Sequence, residues 1–293
     1  MTVTLPPATD DVLDEVPPDR SARAPRSGGS VRDFWSDSLA FAGRNLEHIR
    51  QIPEKLLDVT LQPLMFVVLF AYVFGGAISV GQGSYREYIV AGVLVQTLAF
   101  GLMGPGVSIA TDLTEGVVDR FRTLPVNRYA YLAGHFLAEL AGLVLAMVVL
   151  LGAGLIVGWR THTDLLHIGA AFGLLVLFAS AMIWLGTYIG LLVRSSDSVM
   201  GVAFTVVFPM TFLSSAFVPL ATLPKVLQWV AGWNPFTAIV GAVRQLFGNP
   251  ASPVTRHTWP IDHPVSAAVL TTLVILAVAV VGSLTRYRTR TAD

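Results

Sequence analysis

The sequence predicts an all-α polytopic membrane protein: six transmembrane helices, an N-terminal amphipathic interfacial helix, and two short re-entrant external helices between spans five and six. Three observations predict it. Hydrophobic residues make up 54% of the 293-residue chain and charged residues 13%, about half the usual charged fraction of a soluble domain. The charges concentrate in a few loops and leave long uncharged runs. Each of six runs is long enough for the about 20 apolar helical residues that a bilayer core requires.

Those runs are Val59 to Tyr85, Tyr88 to Thr111, Tyr129 to Trp159, Leu165 to Val193, Ser198 to Pro224 and His263 to Thr285. Only the third contains an ionisable acid or base of the Asp, Glu, Lys or Arg type, and that residue is Glu139. Residues 1–32 differ in kind. "PPATDDVLDEVPPDRSARAPRSGGS" is rich in Pro, Ser, Gly and charge and has no apolar signal-peptide core, so it predicts a disordered cytoplasmic tail. Residues 33–293 then form the membrane domain.

Lysine and arginine orient the spans. With the N-terminus inside, the inner flanks hold Arg44, Arg50, Lys55, Arg120, Arg122, Arg128, Arg194, Arg286, Arg288 and Arg290, and the outer flanks only Arg86, Arg160, Lys225, Arg244 and Arg256. Both termini are therefore expected in the cytoplasm. A net charge of zero supplies no basic field for nucleic acid, and a chain without cysteine has no disulfide, thiolate nucleophile or cysteine-held metal.

Two regions do not span. Between Phe34 and Leu57 the apolar residues Phe34, Leu39, Ala42, Leu46, Ile49 and Leu56 recur at near-helical spacing with charges between them, the pattern of a helix lying on the inner surface. Between residues 221 and 248, Gly232 and Pro235 cut an apolar stretch into two pieces too short to cross a bilayer, and an even span count keeps the C-terminal "RYRTR" inside. Trp159, Trp229, Trp233 and Trp259 all fall near the outer boundary, where indole rings anchor to the interface.

The loop 112–128, between spans two and three, holds the densest internal charge, "GVVDRFRTLPVNR" from Gly116 to Arg128. Leu113, Val117, Phe121 and Leu124 step by four, four and three, giving a helix one apolar stripe with Asp112, Glu115 and Asp119 on a neighbouring face. Gly116 marks the turn out of span two and Pro125 ends the helix. Solvated interfacial charge is one reading. Docking to a cytoplasmic partner is the other, since Arg120, Phe121 and Arg122 are residue types enriched at interfaces.

This segment resembles the coupling helix of the membrane subunits of type-2 ATP-binding-cassette exporters, and most closely the daunorubicin/doxorubicin-resistance permeases, which carry "G-x-x-D-R-F-R-x-L-P" after span two. Gly116, Asp119, Arg120, Phe121, Arg122, Leu124 and Pro125 fill those places. "IPEKLLDVTLQPLMFVVLFAYVFGGAI" (Ile52 to Ile78) is similar to the family's span-one region, and "FPMTFLSSAFVPLATLPKVLQWVAGWNPFTAIVGAVRQL" (Phe208 to Leu246) to its span five with two external helices. The resemblance implies that Asp112 to Arg128 couples to a separate ATPase present in two copies, that ATP and Mg sit on that partner, and that a second permease copy completes a homodimer or heterodimer. Lys55 follows Glu54 and Lys225 follows Pro224, so no Gly-Lys-Ser/Thr phosphate loop exists and the chain itself is not expected to be an enzyme.

Candidate path residues come from the spans. Glu139 lies about ten residues into span three, about 13 to 15 Å deep by helical rise, with His135 one turn before it on the same face. The pair reads either as a substrate contact or as a structural pair within the bundle. "HFLAE" has no second ligating histidine at zinc spacing, and His162, Asp164 and His167 read as a solvated outer loop, so no metal site is assigned. Ser214 and Ser215 beside Phe212 and Phe217 either line an exit path or pack helices. Two other function classes stay open: an ion-coupled secondary transporter using Glu139, and a membrane assembly subunit that transports nothing. Cargo identity is not encoded in spans of Leu, Val, Ala and Phe. The resemblance implies a hydrophobic drug, secondary metabolite or lipid, moved across the cell (inner) membrane.

Overall fold

The computed structural model describes residues 61, 64–76, 78–81, 83–115, 130–193 and 195–290. All regular structure among them is helical. α1 covers Leu64–Phe74 and finishes in a π turn, Phe70–Phe74. α2 (Tyr85–Phe100) and α3 (Met103–Thr114) form one broken rod. α4 is Ala130–Val157 and α5 is Leu165–Leu192. α6 (Ser196–Phe212) contains a second π turn at Ala203–Val207. α7 (Lys225–Trp233), α8 (Pro235–Phe247), α9 (Trp259–Asp262) and α10 (Pro264–Arg290) complete the chain.

Among the described residues, four segments are long and apolar enough to cross a membrane: Tyr85–Thr114, Leu132–Val157, Leu165–Leu192 and Pro264–Tyr287. The predicted spans one and five are occupied by the shorter apolar helices α1 and α6. The uncharged runs themselves continue beyond both helices, to Tyr85 and Pro224. Uncharged sequence there goes into irregular backbone as well as helix: the described residues of 75–76, 78–81 and 83–84 stand between α1 and α2, and 213–219 follows α6. Prolines mark irregularities inside two helices. Pro209 cannot donate to Thr205 inside the π turn of α6, and Pro105 cannot donate to Gly101, where α2 gives way to α3.

The core forms around α5, which packs on α2, α3, α4, α8 and α10. Gly186 and Gly190 bring α5 against α3 so closely that a Cβ at Gly186 would lie 2.0 Å from the Leu102 carbonyl oxygen. At the predicted inner end, Ile109 and Leu113 of α3 pack with Leu132, Leu191 and Tyr287. At the predicted outer end the 158–164 loop is tied to the end of α8. His162 N–H donates to the Phe247 carbonyl at 2.9 Å, Thr163 Oγ1 to the Leu246 carbonyl at 2.7 Å, and Asn249 Nδ2 to the Arg160 carbonyl at 2.8 Å. Gly248 caps α8 in the left-handed region at φ 69°, a conformation that strains other residue types.

Trp159 corrects one expectation. Instead of anchoring at an interface it is buried, with its indole N–H on Asn249 Oδ1 at 2.7 Å and its ring edge-on to Phe247. Trp229, Trp233 and Trp259 are exposed. The N-terminal tail and the surface helix expected over Phe34 to Leu57 lie outside the described residues.

Candidate functional site

The predicted coupling loop begins where α3 ends. Asp112 is in the last turn of α3 and Glu115 caps it, its N–H donating to the Thr111 carbonyl at 2.9 Å. Leu113, the first member of the apolar stripe, is in the inner-end cluster. Gly116, Asp119, Arg120, Phe121, Arg122, Leu124 and Pro125 lie outside the described residues.

His135 and Glu139 share a face of α4, Nδ1 to Oε1 3.9 Å apart, with the histidine nearly buried and the acid's side chain 29% exposed. A Cβ at Gly104 would meet Glu139 Oε2 at 2.8 Å. The acid therefore occupies space that a glycine of α3 leaves, just beyond the α2–α3 break. Phe136, on the same helix, stacks on Trp184 of α5.

Phe212, Ser214, Ser215 and Phe217 gather at a different place, the break that follows α6. Both serines and Phe217 are buried, whereas Phe212 is half-exposed. Ser214 Oγ donates to the Thr211 carbonyl and accepts from the Ala216 N–H, so that hydroxyl is spent on the turn itself. Phe212 stacks on Phe217 with ring centroids 4.7 Å apart, and Phe217 reaches Phe70 of α1 at 5.1 Å. Phe208 extends the run below Phe212 at 4.5 Å. The short helices α1 and α6 thus meet through phenylalanine rings that leave one edge open.

What holds the break was not visible in the sequence. Arg244, counted there as an outer-flank charge, is 1% exposed. Its Nε and Nη2 donate to the Tyr88 carbonyl at 3.0 and 2.9 Å, Nη2 also to the Ala216 carbonyl at 3.1 Å, and Nη1 to Ser215 Oγ at 3.4 Å. The guanidinium carbon lies 3.4 Å from the Tyr88 ring centroid. Asn234, the N-cap of α8, sends Nδ2 to the Met210 and Leu213 carbonyls at 2.7 and 2.8 Å while its Oδ1 accepts from Phe236 N–H. The only sequence signal for either residue is polarity inside an apolar short helix or at its cap.

At the predicted outer end three histidines pair singly with acids. His162 Nε2 is 3.0 Å from Glu87 Oε1, His257 Nδ1 is 2.7 Å from Asp262 Oδ1, and His167 contacts Asp164. The His167 imidazole holds the Asp164 carboxyl below the usual carboxylate range. Among the described residues no three His, Cys, Asp or Glu side chains converge on a point that could hold a metal.

Comparison with known proteins matches this architecture. Residues 39–247 fit the ABC-2 type transporter family. The chain is 31% identical over 228 residues to the daunorubicin resistance ABC transporter permease protein DrrB1 of Streptomyces coeruleorubidus, covering 78% of each protein. It is 26% identical to the doxorubicin resistance ABC transporter permease protein DrrB of Mycobacterium tuberculosis, over 85% of this chain and 87% of that one. The putative transport permease ycf38 of Cyanophora paradoxa is 25% identical, over 74% and 76% respectively. With four helices of membrane-spanning length and this match over most of its sequence, the chain is a membrane protein and belongs to the ABC-2 type transporter family.

Proposed function

We propose that the chain is the transmembrane subunit of an ATP-driven exporter. It moves a hydrophobic drug, secondary metabolite or lipid out of the cytoplasm or inner leaflet, powered by a separate ATPase. The observation that carries this reading is the "GVVDRFRTLPVNR" segment, which continues directly from α3 at the predicted inner end of a chain with no phosphate-binding loop of its own. Here α2 and α3 together are span two, α1 and α6 are spans one and five, and α7 and α8 are the external re-entrant pair, giving six spans with both termini in the cytoplasm.

In this mechanism two ATPase copies, which hold ATP and Mg, bind the inner face of a permease homodimer or heterodimer. Asp112, Glu115, Gly116, Asp119, Arg120, Phe121, Arg122, Leu124 and Pro125 form the contact. Closure of the ATPase pair pushes this helix. Because Leu113 packs with Leu132, Leu191 and Tyr287, the push is delivered to α4, α5 and α10 at once. The path for cargo runs where polar groups and open aromatic edges meet apolar spans: His135 and Glu139 on α4, and Phe212, Ser214, Ser215 and Phe217 at the α6 break. Relatives named for daunorubicin and doxorubicin resistance support a hydrophobic drug among these cargoes.

The test is a mild-detergent purification of the tagged protein from its native membrane beside an Arg122→Glu variant. A Walker-motif ATPase that accompanies the native chain and is lost from the variant is the expected result. A folded native chain that brings down no ATPase overturns the exporter reading.

A further inference from the structure

The backbone that follows α6 poses a problem of unpaired groups. Had the helix continued, the carbonyls of Ala216 and Phe217 would have accepted the N–H groups of Leu220 and Ala221, while the Ser215 carbonyl would have faced Pro219, which has no N–H to give. The helix stops at Phe212, and those three oxygens must find other donors in a buried, apolar setting. They find them on three side chains in register. Tyr88 Oη donates to the Ser215 carbonyl at 2.8 Å, Arg244 Nη2 to the Ala216 carbonyl at 3.1 Å, and Tyr85 Oη to the Phe217 carbonyl at 2.9 Å. The break is thus moulded by α2 and α8. Close approach reinforces it, since a Cβ at Gly92 of α2 would lie 2.1 Å from the Ala216 oxygen.

Arg244 is the centre of this arrangement and a costly way to build it. Its partners are carbonyls, a hydroxyl and an aromatic face, with no carboxylate among them. A guanidinium stays protonated under all working conditions, so a full charge is buried on neutral oxygens and the Tyr88 ring. An apolar side chain would fill the same space without that desolvation cost. What it would not do is join two separate segments, Tyr88 on α2 and Ser215–Ala216 in the break, to α8. The joined segment in turn carries Phe217, whose ring contacts Phe212 on one side and Phe70 on the other.

We propose that Arg244 is a positioning residue for transport: by latching Ser215 and Ala216 to Tyr88 it keeps Phe217 seated between Phe212 and Phe70, and that aromatic stack closes the outer end of the path in the resting protein. The inference rests on the exporter reading for the existence of a path. It adds the residue that keeps the path shut.

The experiment measures passive leak and needs neither the cargo nor the ATPase. The full chain is reconstituted into liposomes, and iodide influx is read by quenching of an entrapped fluorophore. For Arg244→Met that remains monodisperse in detergent, influx at least fivefold faster than wild type is expected; a rate within the wild-type range overturns the latch. Should Arg244→Met fail to fold, the Tyr85→Phe/Tyr88→Phe double variant decides. It removes two of the three carbonyl donors and keeps both rings, so at least a twofold faster influx is expected and an unchanged rate overturns the proposal.

A general loosening of the bundle would also leak, and a chain that has no cysteine allows that to be separated. Adding Phe70→Cys and Phe217→Cys to Arg244→Met and bridging them with a short bis-maleimide should return influx to the wild-type rate. Leak that persists after complete bridging counts against positioning and overturns the proposal. Recruitment of an ATPase by the wild-type chain is scored separately, so failure of the exporter reading and failure of the latch give different results.

Discussion

Glu139 and Arg244 are both ionisable side chains on helices, and they are held in different ways. Glu139 rests on α4 in the space left by Gly104, 29% exposed and 3.9 Å from His135. Arg244 is 1% exposed and has four hydrogen bonds and a tyrosine face around it. The first is a partly exposed acid beside the break in the α2–α3 rod; the second is a buried cation that fixes the break after α6. The difference separates a partly exposed carboxylate on a helix face from a buried cation committed to holding backbone. Transport chemistry suits the former, and geometry depends on the latter.

The largest expected effect follows from that commitment. Arg244→Ala leaves the Tyr88 and Ala216 carbonyls short of donors and opens a cavity, and losses of this kind cost about 3 to 5 kcal/mol together. A melting experiment in detergent should show the greatest drop of any single variant considered. A drop no larger than that of a surface substitution would mean that the contacts around Arg244 are not those described. Next comes Gly92→Ala. Its Cβ would meet backbone of residue 216 at 2.1 Å, and backbone cannot step aside, so helix separation costs about 1 to 3 kcal/mol. Thermal melting of the purified variant checks it, and wild-type stability would show that α2 and the break do not touch so closely.

The same contrast explains what could be read from the sequence. Glu139 is legible because a single acid interrupts an otherwise uncharged run, and hydropathy detects interruption. The division of residues 221–248 into α7 and α8 is legible for a similar reason: Pro235 with Asn234 before it is a local helix-start signal, and both helices appear with Asn234 at the junction. Arg244 is not legible. Its partners Tyr88 and Ala216 are 156 and 28 residues away in sequence, and its neighbours in the chain give no sign that a charge is covered. Trp159 fails for the same reason, its partner Asn249 being 90 residues away. Where α1 and α6 stop is not legible because hydropathy measures apolar length, and apolar length does not distinguish helix from buried irregular backbone whose carbonyls are satisfied from elsewhere.

A milder change sharpens the comparison within the break. Tyr85→Phe removes only the hydroxyl that donates to the Phe217 carbonyl at 2.9 Å and keeps the ring stacked on Tyr88. One neutral buried hydrogen bond is worth about 1 kcal/mol. A loss near that size, by thermal melting beside Arg244→Ala, would rank the tyrosine as an auxiliary to the arginine. A loss as large as that of Arg244→Ala would instead make the tyrosine pair the principal support.

The smallest effects belong to the acid. At Gly104 a new Cβ would meet the end of the Glu139 side chain at 2.8 Å, and a flexible carboxylate can swing away where the Ala216 backbone cannot. Gly104→Ala should therefore cost less than about 1 kcal/mol, against the larger loss at Gly92. Glu139→Gln, which keeps shape and hydrogen-bonding capacity while removing charge, should likewise stay within about 1 kcal/mol of wild type. Both are measured by melting. If Gly104→Ala destabilises as much as Gly92→Ala, Glu139 is held as rigidly as Arg244, and the acid belongs with the structural groups instead of the path. If both variants melt like wild type while export changes, the acid acts on cargo and not on the fold.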